Sequence, residues 1–103
     1  TRSNKMKVVT SSHDIGNDKK FAKRLFEEEK FDLIHMHLKK GQPISTHHAK
    51  TDVIIIVREG VVTFDIEGKE VTLTNEDILY LDPYEDHSLQ AIEETDLILL
   101  KLK

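Results

Sequence analysis

The sequence of 103 residues contains no cysteine, which removes disulfide frameworks, thiolate zinc sites, redox switches and cysteine nucleophiles together. That absence favours the cytoplasm. No apolar run approaches membrane-spanning length, and the opening residues, TRSNKMKVV, lack the apolar stretch of a signal peptide. A soluble, unexported chain is expected, with Met6 a candidate for the true start. No basic stripe is present either: 15 Lys and Arg are interspersed with 19 Asp and Glu, for a formal net charge of −4. The counterion release that drives nucleic-acid binding is therefore weak, and neither nucleic acid nor a membrane is expected as a partner. Paired carboxylates, a Ser-His-Asp order, a phosphate-cradling glycine loop and an HExxH helix are all missing, so most standard enzyme classes lose support.

What remains fits one domain, residues 1–103, long enough to bury roughly 60 to 70 per cent of its unfolded surface. Residues 1–20 read as an N-terminal strand, Lys7 to Thr10, followed by a polar connection, and residues 31–103 as the core. From Phe31 the apolar period is two: Ile34, Met36 and Leu38 alternate with Leu33, His35 and His37. Val53 to Val57 is an unbroken β-branched run, which requires cover on both faces. Val62, Phe64 and Ile66 alternate again, a turn at Glu67 and Gly68 reverses the chain, and Lys69 to Leu73 returns as a hairpin partner. Ile78 to Leu81 and Leu97 to Leu102 complete the set. Many short strands at regular spacing predict an all-β antiparallel sandwich or barrel. If Ile55 faces the interior, then Ile54 and Ile56 face outwards, joined by Ile98, Leu100 and Leu102. An apolar outer face of that kind predicts a homodimer unless the N-terminal segment or the second sheet covers it.

Two segments, GQPISTHHAKTDVIIIVREG from Gly41 to Gly60 and EDILYLDPYEDHS from Glu76 to Ser88, resemble the paired signature motifs of the cupin superfamily. The resemblance implies an antiparallel jelly-roll β-barrel in which histidines from both motifs face one pocket. In the first motif Gly41, His47 and Gly60 match, while Ala49 and Val53 stand where the family has a second histidine and a glutamate. In the second, Glu76, Asp82 and Tyr84 replace glycine, proline and glycine, and His87 is retained. Fifteen residues separate the motifs, the short spacer of small microbial cupins. The family also bears on Phe21 to Lys30: the spacing of Phe21, Ala22, Leu25 and Phe26 taken alone suits a helix, but small cupins place a strand before a turn here, and strand is the expectation.

The implied site is a pocket lined by Ile34, Met36, Ile44, His47, Tyr80 and His87. Two neutral imidazoles, His47 and His87, begin a site for zinc, iron, manganese or nickel, but a catalytic metal generally takes three protein ligands and an open position. His48 and Asp52 are the candidates for a third ligand, provided the loop from Ser45 to Thr51 bulges; Tyr80, Glu85 and Asp86 are further donors. His35 and His37 alternate against the interior residues, so they are expected outside the barrel, at the surface or a dimer interface. His13 is given no role, and Glu27 to Glu29, like Glu93, Glu94 and Asp96, read as solvated acidic turns. Three functions follow: a small-molecule-binding cupin, a metal-dependent dioxygenase or isomerase, and a ligand-sensing module acting through a separate partner.

Overall fold

The period-two pattern dictates strands with one buried face each, and the computed structural model, which describes residues 6–103, folds them into two antiparallel sheets. Nine strands run through the described residues: β1 (Lys20–Glu27), β2 (Phe31–Leu38), β3 (Pro43–His47), β4 (Val53–Glu59), β5 (Val62–Ile66), β6 (Lys69–Leu73), β7 (Ile78–Leu81), β8 (His87–Ala91) and β9 (Thr95–Leu102). One sheet has the order β1-β2-β9-β4-β7 and the other β3-β8-β5-β6. This is the expected all-β barrel. Phe21 lies in a strand, because β1 pairs along β2 from Lys20 opposite Leu38 to Glu27 opposite Asp32, and cross-strand bonding overrides the local helical spacing. The strand expected at Lys7 to Thr10 does not form. Those residues run as irregular, exposed chain, and the edge beside β2 is taken by β1.

The two inner faces meet over one apolar core. Val53, Ile55 and Val57 of β4, Val62 and Phe64 of β5, Leu89 and Ala91 of β8, and Leu38 and Leu97 are all buried there. Burial at about 25 cal/mol per Å² of apolar surface makes this the main stabilising contribution. The outer face of β4 is different. Ile54 is half-buried, but Ile56 is 39% exposed and Ile78, its partner on β7, is 69% exposed. The full cover demanded by the β-branched run is therefore not provided by the described residues.

Two glycine positions are required by geometry. Gly68 (φ 84°) follows Glu67 (φ 51°) in the two-residue turn between β5 and β6, where left-handed backbone matches the twist of the flanking strands. Gly60, at φ 97°, closes the turn after β4 so tightly that an added Cβ would lie 2.1 Å from the Glu94 carbonyl oxygen. That close approach locks the β4–β5 turn onto the β8–β9 turn.

Candidate functional site

His47 and His87 meet because of an irregularity in β3. Ile44 pairs with Leu89, so regular alternation would set Thr46 opposite His87; a bulge between Ile44 and His47 sets His47 there instead. The rings lie 4.2 Å apart between centroids, edge to face. His87 follows the inward rhythm of Leu89 and Ala91 and is 6% exposed, whereas His47 is exposed at the rim. Each ring is held by its Nδ1–H, which donates to a main-chain carbonyl: Ser45 at 2.9 Å for His47 and Glu85 at 3.0 Å for His87. A carbonyl can only accept, so Nε2 of each neutral ring keeps its lone pair. Burial pushes the His87 pKa below the ordinary imidazole value, against the opposing pull of the Glu85 carbonyl, and the neighbouring His47 pushes the same way as burial. The pair is an acceptor site in its neutral form.

The other expected pocket residues divide. Met36 and Ile44 pack against the core from the inner faces of the two sheets, and Ile34, half-buried, pairs with Leu99 on the same inner face. Tyr80 does not join them. It pairs with Ile54 on the outer face and is 53% exposed, because the register of β7 puts Leu79 and Leu81 inward. Its phenol is pushed up to about 12 chiefly by its hydrogen bond with Asp52, with desolvation and Asp82 adding to it. Asp52 is thereby engaged on the outer side. His48, the other candidate third ligand, points to Asp86, with 3.4 Å between Nδ1 and Oδ1, and its ring lies beside Tyr84. The bulge that was expected to turn a third donor inward turns His47 itself instead. Ala49 packs against the core and Val53 lies within it, so both motif positions that would carry further ligands are apolar. Among the described residues the barrel mouth offers two imidazoles and no third donor grouped with them, and this donor set does not fit a catalytic metal.

Sequence reasoning missed a second polar cluster, on the outer face of the five-stranded sheet. His35 and His37 face away from the barrel as expected, but they are buried, at 0% and 3% exposure, not at the surface. The N-terminal segment covers them: the Ser11 hydroxyl bonds to His35 Nδ1, and Arg58 Nη2 donates to the Ser11 carbonyl at 3.2 Å. Asp96, read as part of a solvated turn, is 1% exposed and accepts from Arg58 Nε at 2.7 Å, from Arg58 Nη2 at 2.9 Å and from His35 Nε2 at 3.0 Å. Burial alone would raise its pKa, but the bonds from Arg58 and His35 outweigh burial and hold the carboxyl below the usual range. His13, given no role from the sequence, reaches the same carboxylate at 2.7 Å. The His-x-His spacing on β2 was a visible signal; its partners lie far away in the chain and were not.

Comparison with known proteins places this geometry. The family model described as a cupin domain matches residues 34–102. Among solved structures, an RmlC-like cupin protein from Desulfovibrio desulfuricans has a TM-score of 0.83 at 18% identity, covering 95% of this chain and 97% of the other. A conserved protein of unknown function from Streptococcus pyogenes has a TM-score of 0.81 at 18% identity, covering 98% and 92%. A salicylate 1,2-dioxygenase variant from Pseudoaminobacter salicylatoxidans, in complex with gentisate, has a TM-score of 0.76 at 19% identity, covering 81% of this chain and 25% of the other. These likenesses carry the fold and no activity. No curated protein matches the sequence. No helix of the described residues is long and apolar enough to cross a membrane.

Proposed function

The chain belongs to the cupin family, and from that premise we propose that it binds a small, mostly apolar molecule at the barrel mouth, where His47 and His87 accept hydrogen bonds from it. The observation that carries this reading is the pair of imidazoles tied back through Nδ1 to carbonyls, one ring buried and one at the rim, with both Nε2 lone pairs left for a ligand. The apolar residues Ile44 and Met36 lie on the inner faces of the two sheets, and the ligand class is one with an apolar body and an O–H or N–H donor. Because the described residues give the mouth no third metal donor, the reading needs no metal. The metal-dependent enzyme reading loses its support at this site for the same reason.

A ligand-observed NMR screen of small hydroxylated and amine-bearing compounds against the wild type, His47→Ala and His87→Ala tests it. Compounds that bind the wild type and are lost in both variants support the assignment. Binding retained in both variants removes the histidines from the site.

We propose also that two copies associate through the outer face of the five-stranded sheet. Ile56, Ile78 and Tyr80 are exposed there beside half-buried Ile54, Ile98 and Leu100, and a contiguous apolar patch is the usual mark of an interface. Light scattering of the wild type and of Ile78→Glu checks it: a dimer that becomes a monomer in the variant is expected, and a wild type that is monomeric at high concentration refutes it.

A further inference from the structure

The barrel mouth leaves the outer-face cluster without a role, and one atom in that cluster is out of balance. His37 Nε2 lies 2.7 Å from Glu94 Oε2. A carboxylate oxygen can only accept, so in this bond Nε2 carries the proton. The other ring nitrogen, Nδ1, is then left with its lone pair. It is buried, has no hydrogen-bond partner, and faces Asp96 Oδ2 at 3.4 Å. A nitrogen lone pair aimed at an ionised carboxylate oxygen is repulsive unless a positive species sits between them. The carboxylate–histidine arrangement behind it is the one by which proteins fix the tautomer of a metal-binding imidazole.

Three further features converge on the same point. His13 Nδ1 approaches Asp96 Oδ2 from the N-terminal segment, and the donor atoms of His13, His37 and Asp96 all lie within 4.8 Å of one another. Glu59 Oε2 is 3.5 Å from His13 Nδ1, on an exposed side chain free to swing. The group lines a cleft of about 240 Å³ formed by His13, His37, Glu59, Glu94 and Asp96. Asp96 and Glu94 pair with Arg58 and Lys39, and Glu59 adds a third carboxylate to the cleft, so the local charge favours a cation.

We propose that His13, His37 and Asp96, with Glu59 as fourth ligand, form a site for a divalent transition metal ion of the zinc type on the outer face of the barrel, distinct from the His47 and His87 mouth. Two imidazoles and two carboxylates suit such an ion, and bonds of about 2.0 to 2.2 Å to a tetrahedral centre set donors roughly 3.3 Å apart. The His37 to Asp96 separation of 3.4 Å already meets that requirement. His13 must retreat by about half an ångström to make the ligand spacing, which its irregular segment permits. Bound there, the ion clips the segment around His13 to the ends of β2, β4 and β9. His35 and Arg58, bonded to Asp96, orient its carboxylate from behind.

The test uses the full chain, purified without a histidine tag, stripped with chelator and titrated with zinc against a chromophoric competitor. One zinc per chain is expected. His13→Gln, at an exposed position that leaves the core intact, and Glu94→Gln, which removes the partner fixing the His37 tautomer, each weaken zinc by about tenfold or more. His47→Ala leaves the affinity unchanged. Failure of the wild type to bind zinc, zinc bound equally well by His13→Gln, or zinc lost in His47→Ala overturns the proposal. Cobalt(II) titrated into the same proteins gives a second readout: visible absorption of a tetrahedral centre in the wild type that collapses in His13→Gln.

Discussion

Replacing Asp96 by Asn keeps the shape of the side chain and removes its charge, in a place where water cannot compensate. Asp96 is 1% exposed and accepts from Arg58 through both oxygens, at 2.7 and 2.9 Å, and from His35 at 3.0 Å. In Asp96→Asn the amide oxygen can still accept from Arg58 Nε, but the amide N–H₂ takes the place of Oδ2 and meets donors of Arg58, His35 and His13. Hydrogen bonds to charged groups contribute about 1.5 to 3 kcal/mol each, and a buried donor left without an acceptor costs about 1 to 3 kcal/mol. Two effects reduce the sum. Arg58 is 31% exposed, so its guanidinium is partly rehydrated, and His35 can change tautomer to accept from Arg58 Nη2, which lies 3.1 Å from its Nε2. The net loss is about 3 kcal/mol, a large part of the roughly 5 to 15 kcal/mol that holds a domain folded, and it lowers the melting temperature by roughly 12 to 24 °C. Urea titration of the metal-free protein at neutral pH measures it, with an unchanged m-value as the sign that only stability has moved. The folded Asp96 carboxyl titrates below its unfolded value of about 3.9, so its contribution is complete above that pH and fades as the pH falls through the folded value. The gap between wild type and variant must shrink accordingly in strong acid. The double variant Asp96→Asn with Arg58→Gln should cost less than the two single variants together, since the second change removes the charge that the first leaves unpaired. A loss below about 1 kcal/mol in Asp96→Asn would refute the view that this carboxylate anchors the outer face.

Three other outcomes are expected. Gly60→Ala combines a left-handed backbone at φ 97° with a Cβ at 2.1 Å from a main-chain oxygen, and it costs about 3 kcal/mol or more by urea unfolding; a cost under 1 kcal/mol would show that the two turns separate freely. Tyr84 occupies the left-handed region at φ 67° without being glycine, so Tyr84→Gly relieves about 1 kcal/mol of strain against a similar entropic cost and leaves stability within about 0.5 kcal/mol of wild type. A loss above about 1.5 kcal/mol would mean that the contact of its ring with His48 matters more than the backbone. His87, with its pKa lowered by burial, stabilises the fold fully above its unfolded value of about 6.5, and that contribution is lost as pH falls from there through the folded value. His87→Gln removes this segment of the pH–stability curve, and an unchanged curve in urea titrations at several pH values would show that another group controls it.

The strands from β2 onward, β3 and β8 excepted, were legible because the apolar pattern of a strand is a local property of the sequence, and β1 was decided by its pairing with β2 against its own helical spacing. The segment at Lys7 to Thr10 has the composition of a strand, but the edge beside β2 is taken by β1, which a local pattern cannot reveal. At the barrel mouth the meeting of His47 with His87 was readable from the motifs, yet the bulge between Ile44 and His47 that sets them opposite one another was not, since a one-residue slip exchanges the faces of a strand. Tyr80 went to the wrong face for the same reason. The acidic run around Glu94 looks solvated by composition, but Asp96 pairs with His37 across the sheet and lies beneath the N-terminal segment. The sequence by itself determined the class of fold, the two histidines at the mouth and the absence of their usual companion ligands, because motif spacing and side-chain period are written along the chain. Only the tertiary structure decided that His13, His37, Arg58 and Asp96 share one site on the outer face, because residues up to 83 positions apart are joined there by strand register and by the path of an irregular segment, neither of which has a local signal.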